Sequence, residues 1–113
     1  MSWNLLIYRP GSNDETAPLG SLTTVRRVMD SAFRGLTWPS EAECELDVEG
    51  GFSVEWNIDG DQVSDGYTNG GFQHLSQLAG ICKKMGWRLA DAQEGEDINL
   101  DDPMASYEGR DDE

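Results

Sequence analysis

The residues best equipped for chemistry in this chain are carboxylates. Positions 41–59 read Glu-Ala-Glu-Cys-Glu-Leu-Asp-Val-Glu, then Gly-Gly, then Phe-Ser-Val-Glu-Trp-Asn-Ile-Asp. Ala42, Cys44, Leu46, Val48, Phe52, Val54, Trp56 and Ile58 take the even positions, and acidic or small polar residues take the odd ones. Period two is the pattern of strands with one buried and one wet face. The wet face would carry Glu41, Glu43, Glu45, Asp47, Glu49, Glu55 and Asp59, with Asp61, Asp65 and Tyr67 beside it and Trp38 nearby. Carboxylates spaced this way suit three tasks: acid–base catalysis, cation coordination, or the docking of a basic partner.

The first two tasks find little support. Glycoside hydrolysis needs two carboxyl groups in a cleft, one with a raised pKa, whereas acids along an open strand face sit in water. Asn57-x-Asp59-x-Asp61 resembles the start of a calcium loop, but Gln62 stands where the turn glycine belongs and Thr68 where the bidentate glutamate belongs. Nucleophilic catalysis needs a nucleophile, a base and an orienting group. The lone histidine, His74, is expected on the polar side of a helix start. There is no Gly-x-Ser-x-Gly elbow, and Gly70-Gly71 lacks the Gly-Lys-Ser/Thr ending of a phosphate loop. Arg26, Arg27 and Arg34 form the largest basic cluster, without the interleaved aromatics of a nucleic-acid surface, and are expected to answer nearby carboxylates. The inventory predicts a protein that is not an enzyme and needs no cofactor or metal.

The elements that would hold the acids can be placed from the same pattern. A two-residue turn at Gly50-Gly51 would join inward residues to outward ones, which a pleated sheet forbids. A three-residue loop, Glu49-Gly50-Gly51, pairs Val48 with Phe52, Leu46 with Val54, Cys44 with Trp56 and Ala42 with Ile58. On the outer side it sets Glu45 against Glu55 and Glu41 against Asp59. Ahead of the hairpin, residues 3–8 read as a strand that is apolar on both sides, suited to a central position covered on both faces. Residues 9–19 read as a loop. Ser21 should cap a helix reaching about residue 34, with Leu22, Val25, Val28, Met29, Ala32 and Phe33 buried and Gly35 at its end. After the hairpin comes a weaker strand over 63–68, whose Asp65 and Gly66 suggest an edge or a bulge. Gly70-Gly71 should open a second helix that buries Phe72, Leu75, Leu78, Ala79, Cys82 and Met85, carries Lys83 and Lys84 in its last turn and ends at Gly86. Trp87 to Ala90 reads as the last strand. The expectation is an α+β two-layer sandwich, a mostly antiparallel sheet of about five strands with two helices, in the order β-α-β-β-β-α-β. The link from the first strand to the second should be a right-handed crossover.

At 113 residues the chain suits one domain, placed at residues 1–91, followed by an acidic extension over 92–113. Nine of the 22 residues in that extension are acidic and one is basic, a composition typical of disordered tails, although Ile98 and Leu100 suit a short added strand. The formal charge of −14 argues against direct contact with nucleic acid or anionic lipid, both polyanions, and favours a basic protein partner. Cys44 and Cys82 both fall on inward faces, as buried thiols do. Arg9 and Pro10 interrupt the early apolar run, which reads against a signal peptide, and no apolar stretch nears the ~20 residues of a membrane helix. A cytoplasmic protein is expected.

Several short motifs carry a resemblance: Trp3-Asn4-Leu5-Leu6-Ile7-Tyr8, Pro18-Leu19-Gly20-Ser21, Gly51-Phe52-Ser53-Val54-Glu55-Trp56-Asn57-Ile58, Gly70-Gly71 and Gly86-Trp87-Arg88. Over residues 3–100 the chain resembles small acidic bacterial proteins similar to immunity proteins, the cytoplasmic antidotes of secreted toxins. That resemblance implies a cognate toxin or effector domain with a basic surface as partner, and occlusion of its active site as mechanism. It transfers no catalytic residue. The alternative is an acidic mimic of DNA that inhibits a basic nucleic-acid-binding protein.

Overall fold

A computed structural model describes residues 4–12, 15–70, 72–92 and 95–103. Trp3, Gly71, the side chain of Phe72 and positions 104–113 of the acidic extension lie outside the described residues. In chain order the elements are β1 (Asn4–Pro10), β2 (Thr16–Ala17), β3 (Gly20–Ser21), α1 (Leu22–Ala32), β4 (Thr37–Ser40), β5 (Glu43–Leu46), β6 (Phe52–Asp59), β7 (Gln62–Gly70), a 3-10 turn (Phe72–His74), α2 (Leu75–Met85), β8 (Arg88–Asp91) and β9 (Glu96–Asp97). The α+β class stands, but the five-strand order does not. Among the described residues nine strands form one antiparallel sheet ordered β4-β5-β6-β7-β1-β8-β9, with β2 on β1 and β3 on β7.

The additional strands explain the miscount. β2 lies in the stretch read as a loop, and β3 falls between that stretch and the first helix. Pro10 pairs with Thr16 and Gly20 with Val63, while the Leu19 N–H donates to the Val63 carbonyl at 2.7 Å. Two-residue ladders are too short to generate a hydrophobic period. β4 forms one edge, where Pro39 can stand without a ladder partner. The acidic pair β9 forms the other edge, and charge there deters further pairing. β9 begins two residues before Ile98, whose N–H donates to the Leu89 carbonyl at 2.7 Å and whose side chain joins the core.

β7 is not an edge. It runs nine residues between β6 and β1, and a register shift beside Ile58 bulges it near Ser64. Its Gly66 is structural: a Cβ there would come within 2.6 Å of the Trp56 ring. Trp56 is therefore buried on the helix side, and its indole N–H donates to the Cys44 sulfur at 3.4 Å.

The β5–β6 hairpin has the expected parity but not the expected register. Leu46 pairs with Phe52, Cys44 with Val54, Glu45 with Ser53 and Glu43 with Glu55. The loop spans five residues, 47–51, instead of three. The Gly51 N–H closes a turn on the Val48 carbonyl at 2.8 Å, with Gly50 in the left-handed region at φ 76°. A Cβ on Gly51 would lie 1.9 Å from the Leu46 carbonyl oxygen, so the chain can double back this tightly only with glycine. Val48, expected to be buried opposite Phe52, is left 58% exposed. In exchange, one opposed acid pair remains where two were expected.

Both helices pack on one face of the sheet. The Ser21 hydroxyl accepts the Thr24 N–H at 3.2 Å and starts α1, as its N-cap role requires. The helix ends at Ala32, two residues earlier than its pattern suggests. Phe33 leaves the helical conformation and packs its ring edge-on against Phe52 at 4.9 Å. α2 ends as expected at Gly86, at φ 75°. His74 is not on a free polar side: its ring meets Phe33 and Phe52 at 5.8 and 5.6 Å and closes that end of the core. Trp87 is fully buried and donates its indole N–H to the Leu19 carbonyl at 3.0 Å. Val25 and Met29 of α1 and Leu75, Leu78 and Cys82 of α2 cover Leu5, Ile7, Val54, Trp56, Val63 and Leu89 of the sheet.

Two glycines make opposite predictions. Gly66→Ala should lose about 1–3 kcal/mol in urea denaturation, because the new methyl displaces the Trp56 ring. Gly80→Ala, exposed in α2 with nothing near its missing side chain, should gain about 0.5–1 kcal/mol.

Candidate functional site

Among the described residues, no helix covers the other face of the sheet. β1 was expected to be covered on both sides. It does sit centrally, with Asn4, Leu5 and Ile7 buried, but Leu6 and Tyr8 stay half-exposed. Side chains alternate along each strand, so one outward residue per strand lines up across the sheet. Glu43 stands opposite Glu55, Glu55 opposite Tyr67, Tyr67 opposite Leu6, Leu6 opposite Ala90, and Ala90 opposite Asp97. Six strands each give one member to this row. Five steps of ~4.8 Å make it about 24 Å long. Its ends are carboxylates and its middle is Tyr67, Leu6 and Ala90.

Polar rows flank it. Glu45, Ser53, Asn69 and Asn4 run across one side, with the Asn4 amide donating to Asn69 Oδ1 at 2.5 Å. On the other side the Asn57 amide donates to the Asp65 carboxylate, and Arg88 faces Tyr8. Of the acids singled out in the sequence, Glu43, Glu45, Glu55 and Asp65 thus share this face with Tyr67. The rest sit at element ends. Glu41 is exposed in the β4–β5 turn, and Asp47 and Glu49 are exposed in the 47–51 loop. Asp59 and Asp61 flank the β6–β7 turn, where the Asp61 carbonyl accepts the Leu22 N–H at 3.0 Å and fixes the entry to α1. β6 holds eight residues, so those two loops lie about 24 Å apart.

The pattern reading missed Leu6, Tyr8, Ala90 and Asp97. A signal for the first two was available, since β1 is apolar in both parities. The four residues line a hollow of about 340 Å³ together with Tyr67, the buried Asp91, Ala92 and Gly95 of the β8–β9 turn. The Tyr8 hydroxyl donates to Asp97 Oδ1 at 2.5 Å. Burial, then this hydrogen bond and the Asp97 charge push the Tyr8 phenol up to about 12, with Arg88 opposing.

The helix layer has the opposite sign. α1 and α2 carry Arg26, Arg27, Lys83 and Lys84 against one acid, Asp30. Among the described residues Arg26 pairs with no carboxylate; it lies over the Trp38 ring at 4.8 Å, while the Trp38 indole donates to Asp30 at 2.8 Å. Lys83 pairs with Asp101. Cys44 and Cys82 are buried and free, and burial pushes their thiols up to about 11 and about 12, which makes them poor nucleophiles. Among the described residues no group of three or more His, Cys, Asp or Glu is placed to hold a metal ion. No helix among them is long and apolar enough to cross a membrane. Comparison with known proteins gives no match: no family model, no curated protein and no solved structure matches the chain.

The Tyr8–Asp97 contact can be read by titration. With selectively labelled tyrosine, the Tyr8 resonance should titrate near 12, and Asp97→Asn should bring it down toward the usual value near 10. A phenol raised in the folded state stabilises the fold fully below about pH 10. That contribution is lost as pH rises toward 12, because the unfolded chain releases its proton first. Asp97→Asn should flatten that decline.

Proposed function

We propose that the chain is an immunity protein that neutralises a secreted bacterial toxin domain. The open face of its sheet docks on a basic surface of the toxin and occludes the active site. One observation carries this reading: a sheet face that no helix covers among the described residues, whose central row has carboxylates at both ends, with exposed Tyr67 and half-exposed Leu6 between them beside a buried Ala90. Stable interfaces have this anatomy, with an apolar, aromatic centre inside a polar rim. The two parts do different work. Burial of the centre gives affinity, at roughly 25 cal/mol per Å² of apolar surface before the costs of association. The acids steer encounter, and complementary charge can raise association from about 10⁵–10⁶ to about 10⁸–10⁹ M⁻¹s⁻¹ at low salt. A DNA mimic would need the carboxylates but would leave the apolar centre idle, so a folded protein partner is favoured.

The reading predicts a toxin gene directly upstream of the gene for this chain, and a toxin that kills unless this protein is co-expressed. The triple variant Glu43→Lys, Glu45→Lys and Glu55→Lys should abolish protection and slow association with the purified toxin domain at least tenfold, with an unchanged circular dichroism spectrum. Retained protection, or an association rate that does not respond to ionic strength, would exclude this face as the docking surface.

A further inference from the structure

On the docking reading above, on which this rests, we propose that the hollow between Tyr8, Tyr67 and Asp97 is an arginine pocket. One arginine side chain of the partner enters it and anchors the complex.

The walls match that side chain part by part. Leu6 and Ala90 form an apolar floor on which three methylenes can lie. Tyr67 is 38% exposed and presents its ring to one side of the hollow, where a planar guanidinium can stack. Asp97 stands at the end of the row beyond Ala90. Its Oδ1 already accepts the Tyr8 hydroxyl, which holds the carboxylate in one orientation. An ionised carboxylate offers about four acceptor sites, so one bond to Tyr8 leaves Asp97, which lines the hollow, capacity that suits the paired N–H groups of an arginine. Glu55, opposite Tyr67 on β6, puts a second negative charge on the far side of the ring.

Size and sign narrow the occupant further. The hollow, at about 340 Å³, is small for a ligand pocket and roomy for one long side chain. Arg88 faces Tyr8 from β8 and is the competing cation, but it does not line the hollow. Lysine fits less well. Its ammonium is a compact, strongly hydrated charge with no plane to stack on Tyr67. The groove between α1 and α2 is of similar size, but Arg27 and Lys84 line it, so it repels the same group. Buried arginines are among the residues that most often dominate interface energy, and they act from central, desolvated pockets.

The test uses the full chain and a hexa-arginine peptide at low ionic strength, followed by amide chemical shifts. The largest shifts should fall on Leu6, Tyr8, Tyr67, Ala90 and Asp97. Tyr67→Ala and Asp97→Ala, both exposed positions, should each weaken binding about tenfold. Glu45→Ala, on the same face but outside the hollow, should weaken it less than about threefold. Hexa-lysine should bind several-fold more weakly than hexa-arginine. No binding of hexa-arginine, shifts confined to Glu43, Glu45 and Glu55, or equal affinity for the two peptides would overturn the pocket. The docking face has its own measurement. If the triple Lys variant loses protection while Tyr67→Ala and Asp97→Ala keep both protection and peptide affinity, the pocket falls and the face stands.

Discussion

The sheet depends on the contact between Trp56 and Gly66. The ring of Trp56 occupies the space that a side chain at position 66 would need, so the two strands meet with their largest and smallest residues face to face. This fixes which way β6 and β7 present their pleats. Trp56 goes to the helix side, so Glu55 and Asn57 go to the open side. Gly66 shares Trp56's side, so Tyr67 goes outward as well. β7 then sets β1, because Gly66 faces Ile7 and Tyr67 faces Leu6. A single-residue slip at this junction would turn the core outward and the acids inward along both strands.

The energetics explain why so acidic a face can exist. Two unit charges ~5 Å apart in water repel by about 0.8 kcal/mol. A buried large apolar side chain contributes roughly 1.5–3 kcal/mol. Core packing therefore wins over each opposed acid pair, and the 47–51 loop reduces the opposition on β5 and β6 to Glu43 against Glu55. The open face is tolerated by the fold without contributing to it. Helices of the opposite sign cover the other side, so Arg26, Arg27, Lys83 and Lys84 sit in one layer and much of the negative charge in the other, with the Arg88 cation on the open face beside Tyr8.

What the sequence revealed follows the range of each interaction. The helices were legible because their apolar stripes and their caps at Ser21 and Gly86 are local. The hairpin's parity was legible because alternation is local too. Its register was not, since loop length depends on how closely Gly51 approaches the Leu46 carbonyl. The central place of β7 depends on pairing with β1 more than fifty residues away, which no local pattern encodes. The site divides along the same line. Glu43, Glu45, Glu55, Asp65 and Tyr67 could be read as outward positions from alternation. Leu6 could not, because an outward apolar residue looks like core until the covering layer is known, and Ala90 beside it is in fact buried. Asp97 was hidden in an acidic stretch, and only its pairing with Ala90 brings it to the row.

The row across the open face has a consequence for how this surface can diverge. Its members come one from each of six strands, and their neighbours in sequence are mostly core residues. Glu55 lies between Val54 and Trp56, and Leu6 between Leu5 and Ile7. A substitution at an exposed member such as Glu55 or Tyr67 changes a single square of the surface and leaves packing beneath it intact. The face works as a lettered panel on a fixed frame, where one nucleotide change rewrites one letter. Lineages under pressure to answer new opponents could respell the panel stepwise while keeping the same frame.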